Sequence, residues 1–345
     1  MLSIDGSMGE GGGQVLRTSL ALSLLTGSPI HVTRIRAGRV RPGLMRQHLA
    51  AVRAAAEVGL ADVSGAEIGS TEVVFSPKSV RGGDYTFSTG GAGSTTLVFQ
   101  TVLLPLLLLS RVPSTLRLEG GTHNPMAPPL DFLRLAFLPL LARMGARVDL
   151  SFERHGFYPA GGGAWSVTIH PVARLTRLEL LDRGDVRSRE AVALVAQVRP
   201  QVAVRELDVV ASELGWDRAR WHPSVVKDSH GPGNVVYATI ESANVTEVCT
   251  AFGERGVSAE RVAASVVTEV ARYLAAGVPV GEHLADQLLL PMAFSAGGSF
   301  RTVRPSEHCR TQMALLEMFV GTTIAATEEN SDVWRIDVPA RLQAC

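Results

Sequence analysis

Three times along the chain a glycine-rich turn opens into a long apolar run: GSMGEGGGQVLRTSLALSLL over 6–25, STGGAGSTTLVFQTVLLPLLLL over 88–109, and a weaker copy, GEHLADQLLLPMAF, over 281–294. Apolar runs of this length behind a glycine turn predict buried helices. Each is followed by a strand-like run, at Ile30–Ile35, Thr115–Leu118 and Phe300–Val303, and then by a loop and a second helix at roughly 43–58, 129–144 and 308–320. In the first of these second helices Met45, Leu49, Val52 and Ala56 share one face, with Arg46, Arg53 and Glu57 to its side. Alternating runs such as Glu72–Phe75 and Trp165–Ile169 close the units. The pattern predicts an α/β chain of three helix-on-sheet units, each of about 80 to 90 residues.

The third unit is interrupted. Between a strand near Arg177–Leu181 and the helix that starts near 281 lies a stretch with its own helix near 203–214, a strand near Val235–Glu241 and a helix near 258–275. Gly/Pro-rich boundaries around Asp182–Asp185 and Gly277–Gly281 frame it. The expectation is a core of residues 1–184 and 278–345 with a small α/β domain, 185–277, inserted into it.

Composition narrows the function. With 345 residues, 46% of them hydrophobic, the chain is long enough for two domains. Its 33 basic and 33 acidic residues cancel, so a nucleic-acid partner is expected to be gripped locally, at an end, rather than coated along its length. Cys249, Cys309 and Cys345 form no CxxC pair, which argues against a zinc site or a disulfide framework. Leu97–Leu109 is too short to span a bilayer and contains Pro105, and the N-terminal residues lack a signal-peptide pattern, so a cytoplasmic setting without a membrane partner is expected.

Candidate chemistry clusters in four places. Glu10, in the loop Gly9-Glu10-Gly11-Gly12-Gly13 ahead of a helix, would repel a phosphate unless a cation lay between them; it reads as a Mg²⁺ ligand or as a capping carboxylate. From His31 to Ala56 there are six arginines and no acid, a local excess suited to phosphate or RNA-end binding, or simply a solvated basic face. Asp286 stands in the first turn of an apolar helix, where the helix dipole alone would account for it. In Arg304-Pro305-Ser306-Glu307-His308-Cys309, a loop presents His308 at a helix N-terminus, which favours a neutral, nucleophilic imidazole; Cys309 is a rival nucleophile. His123, Asn124 and His155 lie in turn-rich loops and match no metal pattern. Only two lysines occur, Lys78 and Lys227, and neither sits in the KxDG motif of the lysine-dependent nucleotidyl transferases.

GEGGGQVLR (9–17), RIRAGRVRPGLMRQHL (34–49), GTHNPMAPPLDF (121–132), RHGFYPAGGG (154–163), GPGN (231–234), GEHLADQLLLPMA (281–293) and PSEH (305–308) together resemble the RNA 3′-terminal phosphate cyclase family, in order along essentially the whole chain. The resemblance implies a core of three repeats, each a four-stranded sheet carrying two helices, with a smaller α/β domain inserted in the third. It implies an ATP-dependent conversion of RNA 3′-phosphate ends to 2′,3′-cyclic phosphates through an adenylylated histidine, here His308, with release of AMP and pyrophosphate. Carried over by motif position, Glu10 and Asp286 would support Mg²⁺ or Mn²⁺. Gln14, Arg17, Gln100, His283, Asp286 and Gln287 would lie against the nucleotide. Arg36, Arg39, Arg41 and Gln47 would hold the substrate phosphate, Arg41 standing where some members have lysine. The likeness also allows a homodimer. Two other readings share the scaffold: a non-catalytic cyclase-like RNA-binding protein of ribosome assembly, which would lack the histidine, and an enolpyruvyl transferase, which would ignore ATP.

Overall fold

A computed structural model describes residues 1–321 and 323–340; Cys345 lies outside the described residues. In the first unit, β1 (Leu2–Asp5), α1 (Gln14–Thr26), β2 (Ile30–Thr33), α2 (Arg46–Gly59), β3 (Asp62–Ser64) and β4 (Val73–Ser76) follow one another. The second unit comprises β5 (Asp84–Ser88), α3 (Thr95–Leu109), β6 (Ser114–Gly120), a helix, β7 (Arg147–Arg154) and β8 (Gly163–His170). That helix runs from α4 (Leu130–Phe132) through a π turn over Leu133–Phe137 into α5 (Leu138–Arg143). Next come β9 (Leu178–Leu180), β10 (Val186–Ala196), α6 (Gln201–Leu214), β11 (Trp221–Val225), β12 (Gly233–Ser242), β13 (Thr246–Phe252) and α7 (Ala259–Ala276). The chain continues with α8 (Glu282–Ala293), β14 (Gly298–Thr302), α9 (Glu307–Val320), β15 (Ala325–Glu328) and β16 (Trp334–Val338).

The sheets show the repeat directly. Their orders are β1-β2-β4-β3, β5-β6-β8-β7 and β9-β14-β16-β15. In each, the first two strands are parallel and the remaining pairings antiparallel. A parallel pair needs a crossover, and α1, α3 and α8 supply it. This explains their apolar composition: α3 is buried along nearly all its length and packs against both α1 and α2, while α9 packs against α1 and α8. The helices thus pack on one another across the three units, and their apolar faces join one core cluster. Among the described residues no helix is long and apolar enough to cross a membrane.

The fourth sheet, β11-β10-β12-β13, is spliced between β9 and α8 and has a different topology. Period-two alternation gives it two apolar faces. Val235 and Tyr237 of β12, with Leu194 and Ala196 of β10, join the main core cluster; Val236, Ala238 and Ile240, with Ala191, Ala193 and Val195, form a second cluster beneath α6 and α7. A polar joint adds to the seam. His123 Nε2 lies 2.9 Å from Asp131 Oδ2, His123 Nδ1 lies 2.8 Å from Thr122 Oγ1, and Arg134 donates to Asp131 Oδ1 at 2.8 Å. Tyr237 from the fourth sheet faces the same carboxylate, and burial together with the Asp131 charge pushes its phenol up. Burial opposes ionisation of Asp131, but the bonds from His123 and Arg134 outweigh it and hold the acid well below the usual carboxylate range.

The strand expected over Ile30–Ile35 stops at Thr33, because Arg34 and Arg36 adopt the left-handed backbone at φ 51° and 57°. That turn lifts the arginine-rich segment off the sheet.

Trp165 is fully buried in β8, stacks edge-on against Phe99 with centroids 5.3 Å apart, and donates Nε1–H to Thr95 Oγ1 at 2.9 Å. Replacing Trp165 by Ala is expected to cost about 3–5 kcal/mol, read as a lower urea midpoint at unchanged native secondary structure.

Candidate active site

A large cleft of about 2220 Å³ opens where the starts of α1, α2, α3, α8 and α9 converge, with the fourth sheet forming its far wall through Val248, Thr250 and Phe252. Helix starts expose unpaired N–H groups and a partial positive charge, so their convergence favours an anionic ligand. Serines cap two of these helices: Ser94 accepts from Leu97 N at 3.3 Å, and Ser306 from Cys309 N at 3.2 Å.

The cap at Ser306 places His308 in the first turn of α9, facing the cleft. His308 Nδ1 lies 3.2 Å from Glu10 Oε1, and Arg39 donates to Glu10 Oε2 at 3.0 Å. The carboxylate beside Nδ1 favours the Nδ1–H tautomer, which keeps the lone pair on Nε2 free to attack. Cys309 is fully buried, and that burial, with the Asp286 charge, pushes its thiol up to about 12. It is therefore not a competing nucleophile at neutral pH. Glu307 turns to Arg310 at 2.6 Å, on the surface of the helix.

The glycine loop is a point of close packing. Gly9 has φ +57°, and a Cβ there would lie 2.0 Å from Thr311 Oγ1; a Cβ on Gly13 would lie 2.4 Å from His48 Nε2 and 2.7 Å from an Arg17 nitrogen. These glycines let the loop close against α9 and α2 together. Gln14, whose motif position suggested a nucleotide contact, donates Nε2–H to the His308 carbonyl at 2.9 Å, and Thr18 donates to Gln312 Oε1 at 2.8 Å. Both bonds fix α1 against the helix that carries His308.

The positive groups are crowded. Burial depresses Arg17 to about 10, with Asp286 pulling it back up. Burial and the neighbouring Arg39 lower Arg36, whose guanidinium donates to the carbonyls of Arg41 and Gly43 at 2.7 and 2.9 Å. Asp286 is raised by burial, a penalty eased by Gln287 and the nearby His308 and His283. Gln287 donates to both Asp286 oxygens at 3.1 Å and accepts from Gln100, so these three expected site residues form one chain of bonds. Gln47 accepts from Ser94 N at 3.1 Å, tying α2 to the start of α3. His283 lies at the exposed rim, 3.7 Å from Glu269. Arg41 does not line the cleft; its side chain is exposed and only its carbonyl takes part, through Arg36.

Among the described residues no group of three or more His, Cys, Asp or Glu side chains could hold a metal by itself. Two carboxylates, Glu10 and Asp286, do line the same cleft. That set fits Mg²⁺, which commonly takes one or two carboxylates and fills its octahedron with phosphate oxygens and water.

His48 was visible in the sequence only as part of the arginine-rich run from Arg34 to Arg53. It is 3% exposed, accepts from Met45 N through Nδ1 at 3.2 Å, and is pushed down to about 3 by burial and by Arg17 and Arg36. Its folded pKa lies below the ordinary 6.5, so its contribution to stability is complete above that pH and is lost as pH falls towards 3. Urea midpoints taken at pH 7 and pH 5 are expected to drop less in His48→Gln than in wild type; equal drops would show that this imidazole does not supply the linkage.

Known proteins resemble the chain along nearly its full length. The family model described as RNA 3′-terminal phosphate cyclase matches residues 8–326. A protein named RNA 3′-terminal phosphate cyclase from Ralstonia nicotianae is 50% identical over 345 residues, covering 98% of this chain and 97% of its own. One of the same name from Koribacter versatilis is 48% identical over 331 residues, with 96% and 93% covered. Another, from Ectopseudomonas mendocina, is 47% identical over 337 residues, with 98% of each covered.

Proposed function

The chain belongs to the RNA 3′-terminal phosphate cyclase family, and on that footing we propose that it uses His308 as the nucleophile of an ATP-dependent reaction turning an RNA 3′-phosphate into a 2′,3′-cyclic phosphate. The observation that carries this reading is the position of His308. Its Nδ1 is 3.2 Å from Glu10, leaving Nε2 free, in a cleft also lined by Arg17, Arg36 and Arg39.

In the first step His308 Nε2 attacks the α-phosphorus of ATP; an N–P bond forms and the bond to pyrophosphate breaks. Glu10 takes up the growing positive charge on the ring through Nδ1–H. A terminal oxygen of the RNA 3′-phosphate then attacks the same phosphorus and the N–P bond breaks, giving an RNA-ppA anhydride and free histidine. Finally the vicinal 2′-hydroxyl attacks the 3′-phosphorus, gives up its proton, and expels AMP with the bonding electrons. Splitting the reaction in this way replaces a displacement on an unactivated phosphate with displacements that have good leaving groups. Arg36 and Arg39 hold the phosphates at the reacting end, with Gln47 beside them. Arg17, Gln100, His283 and Gln287 line the nucleotide side. Glu10 and Asp286 would hold Mg²⁺ or Mn²⁺, whose contribution is to neutralise triphosphate charge.

With α-labelled ATP and Mg²⁺ or Mn²⁺, wild type and Cys309→Ser are expected to carry acid-labile, alkali-stable label after denaturation, and His308→Ala none. Cyclisation of a 3′-phosphorylated oligoribonucleotide is expected to fall at least about a thousandfold in His308→Ala. Label persisting in His308→Ala would move the nucleophile elsewhere, and an unlabelled wild type free of bound AMP would end the catalytic reading.

A further inference from the structure

The first turn of α8 is gripped at three consecutive residues by the fourth-sheet unit. Gly281 N–H donates to Glu247 Oε2 of β13 at 2.6 Å; Glu282 pairs with Arg272 of α7 at 2.6 Å; His283 lies 3.7 Å from Glu269 of α7. The second and third contacts involve exposed partners and add little on their own. The first is buried, with Glu247 only 3% exposed.

We propose that Glu247 is a positioning residue for nucleotide binding: its buried carboxyl fixes the start of α8 and thereby sets Asp286 and Gln287 against the nucleotide. This rests on the reading of the cleft given above. At many helix starts an acid or amide three residues into the helix reaches back to the N-cap N–H. In α8 the N-cap is Gly281 and the corresponding position is Leu284, so the helix has no such group of its own. Glu247 supplies the acceptor from another unit. Its second oxygen is also engaged, accepting from Val248 N at 3.3 Å. The fit leaves no room: a Cβ on Gly281 would lie 2.8 Å from the Glu247 carboxyl carbon and from Oε2. Burial, reinforced by Glu269, pushes Glu247 up to about 8, so a neutral amide is a close substitute for the form present at neutral pH. Asp286 lies roughly 8 Å further along the helix axis, so a tilt at Gly281 displaces the carboxylate and the Gln100–Gln287 bond together.

The test is binding of α,β-methylene-ATP with Mg²⁺ by calorimetry, beside binding of a 3′-phosphorylated oligoribonucleotide and thermal melting. Glu247→Ala and Gly281→Ala are expected to weaken the nucleotide about tenfold and to leave the oligonucleotide within twofold. Glu247→Gln, which keeps an acceptor oxygen, is expected to restore the nucleotide to within about twofold of wild type. Should Glu247→Ala not fold, Glu247→Asp withdraws the same oxygen by one methylene and is expected to behave as Gly281→Ala does. Wild-type nucleotide affinity in Gly281→Ala and in either Glu247→Ala or Glu247→Asp overturns the proposal. So does a loss in which both ligands weaken in step with the melting temperature. Wild type that binds the analogue yet takes no label from ATP leaves Glu247 in place and removes the catalytic reading; wild type that binds no nucleotide removes both.

Discussion

Like charges held close together set the terms for the whole cleft. Arg17, Arg36 and Arg39 line one cavity with a buried imidazole, and each of Arg17, Arg36 and His48 is shifted towards its neutral form by burial, with neighbouring guanidiniums adding to the shift in Arg36 and His48. Such a set is tolerable because two carboxylates are interleaved with it, Glu10 between Arg39 and His308, and Asp286 beside Arg17. The arrangement fits a polyanion that replaces lost hydration of the cations with phosphate oxygens. It also explains the close contacts around Gly9 and Gly13: the charged groups belong to α1, α2, α9 and the loops between them, and only a loop without side chains lets those elements meet.

The fourth sheet is a structural wall as much as an appendage. Its strands carry apolar residues on both faces, one buried in the main core and one beneath α6 and α7. The Asp131 joint and the grip on α8 attach it at two further points, one to the second unit and one to the third. A sheet so anchored contributes the far side of the cleft while the chemistry-bearing groups remain on the helices of the three repeats.

The repeat was legible because its signal is long: a glycine turn, a largely buried crossover helix and a strand, three times over. The edge strands β1 and β5 were not, and although β9 was read near Arg177–Leu181, its parallel pairing with β14 was hidden, because the partner a strand takes leaves no mark in its own alternation. The early end of β2 was hidden because nothing in RIRAGR announces a left-handed arginine; within the turn the Arg36 guanidinium donates to the carbonyls of Arg41 and Gly43. At the site, His308, Glu10, Arg17, Arg36, Arg39 and Asp286 were legible as residues to watch. The bond from Gln14 to the His308 carbonyl was not, because an amide on a helix face looks the same whichever neighbour it bonds. Glu247 was illegible for a deeper reason: a cap supplied from another unit leaves no trace in the spacing of the helix it caps.

The splice between β9 and α8 bears on how the chain assembles. Leu178 pairs with Gly298 in the third sheet, and Arg301 donates to the carbonyl of Leu181, 120 residues away in sequence. Bringing such distant segments together costs entropy that grows only with the logarithm of the loop. The spliced unit reduces even that. Arg183 lies over the ring of Tyr273, its guanidinium 5.5 Å from the centroid, and Tyr273 donates its hydroxyl to the Pro279 carbonyl at 3.2 Å. The two ends of the unit are thus side by side once it has folded. The folded unit thus acts as a clasp, holding the late strand β14 at short range to the early strand β9 although 117 residues separate them in the chain.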